Sequence, residues 1–147
     1  MKNYLSASDV ETAFYEAFER ADIKSMMATW GCGDGIVCIH PGADRMEGFE
    51  EVKESWEVIF EDPSLLRFTL LDVRITAVEG LAIHQVKEEV EIDGQYISHL
   101  FSTNVYVKGE DKSWMMISRH SSPEPELPDF EALDYEDLDA DQTVVLH

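Results

Sequence analysis

Residues 66–121 alternate between polar and apolar side chains with a period of two, and this pattern constrains the fold more than any other feature of the chain. Such alternation is typical of β-strands with one buried face. Turn residues divide the stretch into four strands, Arg67–Val78, Leu81–Ile92, Gln95–Val107 and Ser113–Ser121. Asp93-Gly94 is a strong two-residue hairpin signal. The pattern predicts an antiparallel meander, with a bulge where the apolar parity switches at Leu70 and Leu71.

Helical spacing replaces this alternation nearer the N-terminus. Apolar residues at i, i+3, i+4, i+7 and i+8 predict a first helix, and they are Val10, Ala13, Phe14, Ala17 and Phe18. Ser8 followed by Glu11 is a capping-box pattern for its start. Asp22 is placed to cap a short second helix that Gly31 ends. A short strand over Ile36–His40 and a third helix over Gly48–Phe60 follow. This order predicts an α+β fold, in which a curved antiparallel sheet wraps over three N-terminal helices.

The charge balance restricts the partners of the protein. Asp and Glu number 31 against 11 Lys and Arg, which gives a net charge of −20. Such a chain is expected to bind no nucleic acid and no anionic membrane, because both are negatively charged. No apolar run approaches the ~18 residues that span a bilayer, and a secretory leader is not apparent, so a cytoplasmic protein is predicted. Cys32 and Cys38 make no disulfide framework.

The composition changes sharply near Pro123. Nine acids and no Lys or Arg lie between Ser122 and His147. We therefore predict one domain over residues 1–123 and an acidic tail over residues 124–147. Two interpretations of the tail stay open: a solvated extension, because like charges repel one another, or a segment that covers a pocket or a neighbouring subunit. The apolar residues available for covering are Phe130, Leu133, Tyr135, Val144, Val145 and Leu146.

Three local segments, in this order and spacing, resemble the SnoaL-like branch of the nuclear transport factor 2-like (cystatin-like cone) superfamily. Phe14–Trp30 looks like that family's opening helix pair, Ile36–Gly48 like its first strand and the turn after it, and Trp114–Pro123 like its last strand. The resemblance covers residues 5–123. It implies an α-α-β-α-β-β-β-β cone whose inner sheet face and third helix enclose an internal pocket. Members include isomerases, cyclases, dehydratases and non-catalytic assembly domains, so the fold alone does not set the function.

The resemblance argues against steroid isomerase chemistry. It places His40 where the isomerase-type members have an Asp base, Phe14 at their tyrosine position and Thr103 at their later aspartate position. Phe14 cannot donate a hydrogen bond to a developing enolate, and Thr103 is a weaker donor than a protonated acid. His40 nevertheless keeps the position from which the family reaches its ligand.

Strand parity and the resemblance together predict that four of the five histidines point into this pocket. His40 shares a side of the first strand with Cys38, and His84 shares a face of its strand with Glu88. The residues expected to point inward from the last two strands are His99, Phe101, Thr103, Met116, Ser118 and His120.

Three interpretations of these groups stay open. In the first, His40 is a general base, assisted by Glu88, His99 or His120. In the second, the imidazoles and Glu88 bind Zn²⁺ or a non-haem metal. In the third, each imidazole is only hydrogen-bonded inside a polar-lined cavity. Because no pair has a local ligand spacing, no metal or cofactor is predicted.

The remaining expectations concern the pocket walls and the outer sheet face. Trp30, Trp56 and Phe60 have the helical spacing of core residues that also line a cavity. Arg45 either closes the pocket mouth or pairs at the surface, and Arg119 is predicted on the outer face by parity. The apolar residues expected to point outward, and to form a homodimer interface, are Tyr96, Leu100, Tyr106, Met115 and Ile117.

Two functions follow from these expectations. The first is binding of a small apolar or weakly polar molecule, extended in an enzyme to isomerase, cyclase or dehydratase chemistry by proton transfer without a cofactor. The second is a non-catalytic ligand-binding or homodimeric assembly module. A catalytic site requires that at least two of its groups lie within hydrogen-bond reach of each other, or of one bound molecule, beside an open cavity. The candidate groups are His40, His84, Glu88, His99 and His120.

Overall fold

The computed structural model describes residues 3–125. Its helices are α1 (Ala7–Arg20), α2 (Ile23–Ala28) and α3 (Phe49–Phe60), and its strands are β1 (Val37–Ile39), β2 (Arg45–Glu47), β3 (Leu66–Val78), β4 (Leu81–Ile92), β5 (Tyr96–Lys108) and β6 (Trp114–Pro123). The predicted α+β fold class is confirmed, with β2 as the element that the sequence pattern missed. Within this range no helix combines the length and the apolar character needed to cross a bilayer.

All six strands form one sheet in the order β2-β1-β6-β5-β4-β3. The four long strands pair antiparallel along the chain, as predicted. Strand β1 adds to β6 in parallel, and β2 adds to β1 as an antiparallel edge. Helix α1 contacts β3, β5 and β6, so the sheet has an inner face toward the helices and an outer face away from them.

The start of α1 lies two residues before its predicted position. Ser6, not Ser8, is the N-cap, and its hydroxyl accepts a hydrogen bond from the Asp9 backbone N–H at 3.1 Å. The capping-box prediction is wrong because the carboxylate of Glu11 reaches His84 on the sheet instead. At α2 the predicted cap is confirmed, since the Asp22 carboxylate accepts from the backbone N–H of the third helical residue.

The turn and bulges of the meander set which residues face inward. Asp93 and Gly94 have φ of 55° and 71°, the left-handed backbone that a tight hairpin turn requires. The register of β3 shifts between Leu71 and Arg74, next to the predicted bulge.

A second bulge, in β6, was not predicted. Val105 pairs with Ser118 while Tyr106 pairs with Met116, so Ile117 is an extra residue. The parity of β6 reverses there. As a result both Met116, as predicted, and Arg119, against prediction, lie on the inner face, where they are 0% and 2% exposed.

Several other predicted orientations are wrong. Ser102, Asn104 and Tyr106 are the buried residues of β5. The residues predicted to point inward that lie on the outer face are His99, Phe101, Thr103, Ser118 and His120. Conversely, Tyr96, Leu100 and Tyr106 were predicted outward but have inner parity. Strand β5 has apolar residues at both parities, so alternation alone did not decide its orientation.

An aromatic core lies between the inner sheet face and the helices. Phe14 of α1 meets Trp56 of α3 edge-on, with ring centroids 5.6 Å apart, and Phe18 meets Trp56 at 4.8 Å. Trp30, at 4% exposure, closes one side, and Phe60 is half-buried against Trp56. Edge-to-face pairs of this kind add to the area that the rings bury. This packing holds α1 and α3 against the sheet.

Candidate functional site

Four buried polar side chains meet at the centre of the inner face, and we call them the polar core cluster: Tyr15, Glu88, Asn104 and Arg119. They come from α1, β4, β5 and β6, so one helix and three strands meet there. Glu88 and Asn104 are fully buried, Arg119 is 2% exposed and Tyr15 is 7% exposed.

The cluster is held by a two-pronged ion pair. Arg119 donates from Nη1 to Glu88 Oε2 at 2.7 Å and from Nη2 to Glu88 Oε1 at 3.0 Å. Nη1 also donates to Asn104 Oδ1 at 3.1 Å, and the Asn104 amide donates to the Tyr15 hydroxyl at 2.9 Å. The Tyr15 hydroxyl in turn donates to Glu88. Every group of the cluster therefore bonds to at least one other member.

The two charges keep each other ionised in a place where water is excluded. Burial alone would raise the pKa of Glu88, but the charge of Arg119 and the hydrogen bonds it receives hold that pKa below its usual value. Burial opposes the charge of Arg119, yet Glu88 raises its pKa further. Burial also raises the pKa of Tyr15, which stays a hydrogen-bond donor.

Helix α1 presents a line of polar residues to the sheet with a spacing of four. The Glu11 carboxylate lies 2.6 Å from His84 Nδ1, within hydrogen-bond distance. Tyr15 belongs to the polar core cluster, and the Glu19 carboxylate accepts a hydrogen bond from the backbone N–H of Phe68 at 2.8 Å. The spacing i, i+4, i+8 puts three residues on one side of a helix. Polar residues at this spacing beside an apolar stripe were the available signal for Tyr15, and sequence reasoning missed it.

Side chains rather than a cavity surround the cluster. The Arg119 guanidinium lies over the Phe14 ring, 5.0 Å from its centroid, and near the Tyr15 and Phe18 rings. Of five cavities on the surface of residues 3–125, none is lined by Glu88 or Arg119. Arg119 Nε is the one cluster donor without a partner in this part of the chain. Both charges of the cluster are thus paired with each other.

His40 lies elsewhere, at the rim between β1 and α3. Its half-buried ring stands edge-on to Trp56, with centroids 4.7 Å apart. It borders a groove of about 430 Å³, which we call the His40 groove. The lining residues are His40, Ala43, Met46, Glu51, Glu54, Ser55, Val58 and Ile59.

The neighbours of His40 do not form an activated nucleophile. His40 Nε2 is 2.9 Å from Ser55 Oγ, but that hydroxyl already donates to the Val52 carbonyl at 2.6 Å, so the imidazole is the donor between them. Burial, with a smaller effect of Arg119, lowers the pKa of His40 to about 4. Burial raises the pKa of the Cys38 thiol to about 12. At neutral pH the site holds a neutral imidazole beside a thiol and a hydroxyl, which suits hydrogen bonding to an uncharged group.

The other predicted groups are dispersed. His84 is buried as expected but pairs with Glu11, and His99 lies 3.5 Å from both Glu89 and Glu124 on the outer face. His120 lines an outer-face groove. Residues 3–125 contain no group of three or more His, Cys, Asp or Glu side chains arranged to hold a metal ion.

The residues predicted to line the pocket walls lie in different places. Trp30, Cys38, Trp56 and Met116 belong to the core, while Phe101, Thr103 and Ser118 belong to the outer face. Arg45 is exposed and pairs with Glu47 at 2.9 Å, which is the surface alternative of its prediction.

Breaking the ion pair from one side is expected to destabilise the fold strongly. Glu88→Gln leaves the Arg119 charge buried and unpaired, so the free energy of unfolding should fall by about 3–5 kcal/mol in urea denaturation. Glu88→Gln combined with Arg119→Met should cost clearly less than the sum of the two single changes. Glu89→Gln on the outer face is the control and should change stability by less than about 0.5 kcal/mol. Additive single costs would contradict the pair.

His40 is expected to make the fold less stable on acidification. An unfolded histidine has a pKa of about 6.5, whereas His40 in the fold has one of about 4. Between these values the unfolded chain binds a proton that the native chain does not, so stability falls as the pH drops from 6.5 to 4. His40→Gln should flatten this slope in urea denaturation, with His120→Gln as the control. An NMR titration of His40 with a midpoint near 6.5 would refute the assignment.

The family model of the SnoaL-like domain matches residues 8–125. F-box protein SKIP8 of Arabidopsis thaliana is 26% identical over 113 residues, which cover 77% of this chain and 47% of that protein. The chain therefore spans about half the length of the curated relative it matches.

Two solved structures share the architecture. One, from Thiobacillus denitrificans, is named for the association domain of calcium/calmodulin-dependent protein kinase type II. It is 28% identical, with a TM-score of 0.80 over 85% of this chain and 100% of that chain. The other, from Streptomyces avermitilis, is named as a dehydratase of the NTF2-like family. It is also 28% identical, with a TM-score of 0.70 over 79% and 91% of the two chains. The resemblance seen in the sequence is thereby confirmed, and the chain belongs to the SnoaL-like family of the nuclear transport factor 2-like group.

Proposed function

We propose that this domain is a non-catalytic assembly module that forms a homodimer through the outer face of its sheet. The observation that carries the proposal is an apolar strip on that face, which we call the outer strip. Its members come from β4, β5 and β6 and are all partly exposed: Ile83, Val105, Val107 and Met115. Helix α1 packs on the opposite face of the sheet.

The size of the face suits a dimer. Four strands about 4.8 Å apart and about 10 residues long, at about 3.3 Å per residue, cover roughly 600 Å². Stable interfaces bury about 800 Å² on each partner and have an apolar centre with a polar rim, so the outer strip would form the centre and residues around it the rim. In a two-fold symmetric homodimer the same surface patch of each copy meets itself, which an apolar strip permits.

The similarity to the Thiobacillus denitrificans protein supports the same function. That protein is named for an association domain, and this chain matches its whole length.

The dispersion of the titratable groups argues against the catalytic alternative. His40 bonds to Ser55, His84 to Glu11, and Glu88 to Arg119. None of these bonds links two of the five candidate groups, and the two buried members border none of the five cavities. The catalytic site expected from the sequence needed at least two of these groups around one reacting molecule.

A charge in the outer strip is expected to separate the dimer. Val105→Glu places a carboxylate in the centre of the interface, where both copies would bury it without a partner. Sedimentation equilibrium should show a dimer for the original chain and a dissociation constant raised at least 100-fold for this variant. Leu65→Glu, which changes a 72% exposed residue in the turn before β3, is the matched control. A monomeric original chain, or a dimer unaffected by Val105→Glu, would refute the proposal, provided circular dichroism shows both variants folded.

A second candidate function is small-molecule binding in the His40 groove. The observation that favours it is the combination of a groove of about 430 Å³ with apolar walls and a neutral imidazole at its edge. Pockets for small molecules have this character, with few polar groups that set orientation. The ligand class is a small apolar molecule with one hydroxyl or carbonyl group. The similarity to a protein named as a dehydratase is consistent with such a ligand.

A fragment screen tests this second candidate. Uncharged alicyclic and aromatic alcohols and ketones should shift the amide signals of Ser55 and Met46 in ¹⁵N NMR spectra. Val58→Glu, which puts a charge into the groove wall, should weaken binding at least 10-fold, and Leu65→Glu should leave it unchanged. Shifts that survive Val58→Glu, or none at all, would contradict binding in this groove.

A further inference from the structure

The outer face has a second region, next to the outer strip and different in chemistry. A groove of about 300 Å³ lies between the β3 bulge and the end of β6. We call the four residues that give it its character the charged patch: Arg74, Lys87, Phe101 and His120. Asp72 is the only carboxylate among the groove's lining residues. Arg74 Nε lies 4.0 Å from Asp72 and Lys87 pairs with Glu124, so in a chain of net charge −20 this groove is locally balanced in charge rather than acidic.

Strand β6 ends beside this patch. After β6, the backbone N–H of Glu124 donates to the His99 carbonyl at 3.0 Å, so the end of the chain continues beside β5. The Glu124 carboxylate is 3.0 Å from Lys87 Nζ and 3.5 Å from His99 Nδ1. The first acid of the acidic tail is therefore already paired with a cation of the patch.

The acids that follow have the chemistry to extend this contact. Residues 126–147 lie outside the described residues, and by sequence they hold eight Asp and Glu and no Lys or Arg. Apolar side chains, among them Leu127 and Phe130, are interspersed with these acids. The patch offers both complements, since the Lys87 ammonium lies 5.9 Å from the centroid of the 42% exposed Phe101 ring.

We propose that residues 126–147 dock in the same chain on the charged patch, with their carboxylates toward Arg74 and Lys87 and an apolar side chain against Phe101. Attachment at Glu124 favours this site over other cationic grooves, because closing a short loop costs less entropy than closing a long one. Because the chain as a whole carries a net charge of −20, the segment is attracted only where cations are close to it. The docking does not depend on the proposed homodimer.

Paramagnetic broadening in the full-length chain tests this docking. A nitroxide is attached at Ala132→Cys in a Cys32→Ser background, where Cys38 stays unlabelled because it is fully buried. The amide signals of residues 85–87, 101–103 and 120–122 should broaden most. The double variant Arg74→Glu and Lys87→Glu, or 0.5 M NaCl, should reduce this broadening at least threefold.

The matched control reverses the same number of charges elsewhere. Lys24 and Lys53 line a separate groove between α2 and α3, and Lys24→Glu with Lys53→Glu should leave the broadening at the patch unchanged. Broadening centred on that other groove, spread evenly, or insensitive to the patch variant would overturn the proposal. Patch broadening in a mixture of spin-labelled ¹⁴N chains and unlabelled ¹⁵N chains would show docking on a second copy and overturn the same-chain assignment. Because Val105 is unchanged in all these variants, a failed dimer and a failed docking remain distinguishable.

Discussion

The buried ion pair between Glu88 and Arg119 is the interaction on which the rest of the structure depends. Removing two charges from water costs several kcal/mol for each ion, and hydrogen bonds to both ions offset part of that cost. Tyr15 and Asn104 add such hydrogen bonds to the pair, so α1, β4, β5 and β6 must meet in one arrangement. A slip of β6 by one residue would turn Arg119 outward and leave Glu88 buried alone. The pair thereby disfavours alternative registers as well as joining helix to sheet.

Because side chains fill the centre of the domain, its function is expected at its surfaces. Aromatic rings and the ion pair occupy the inner face. His40, which lines the His40 groove, lies at the rim. The outer face, by contrast, has an apolar region and a cationic region side by side. An apolar region favours a second copy of the same face, whereas the cationic region favours acids. One sheet face can thus serve assembly and hold the acidic tail through two different kinds of force.

How far the sequence predicted the site depended on how clear each strand's alternation was. In the middle of β4 the outward positions carry polar or charged residues, and the inward positions are apolar except for His84 and Glu88. Both of these residues were correctly placed inward. In β5 both parities hold apolar residues, so the inward choice was wrong by one residue and Asn104 was missed. In β6 the run from Trp114 to Ile117 is apolar at every position, which concealed the bulge and therefore the orientation of Arg119. Tyr15 was missed because it lies beside, not on, the main apolar stripe of α1.

The sequence by itself determined the local elements: the helices at 3.6-residue spacing, the strands at two-residue spacing, the Asp93-Gly94 turn and the acidic excess of the tail. These follow from interactions between residues close in the chain, which a pattern records directly. Only the tertiary structure decided which side chains share the interior, because that depends on a one-residue bulge and on pairing between strands distant in sequence. The pairing of β4, β5 and β6 brings Arg119 into contact with Glu88, and no short segment of the chain contains both residues.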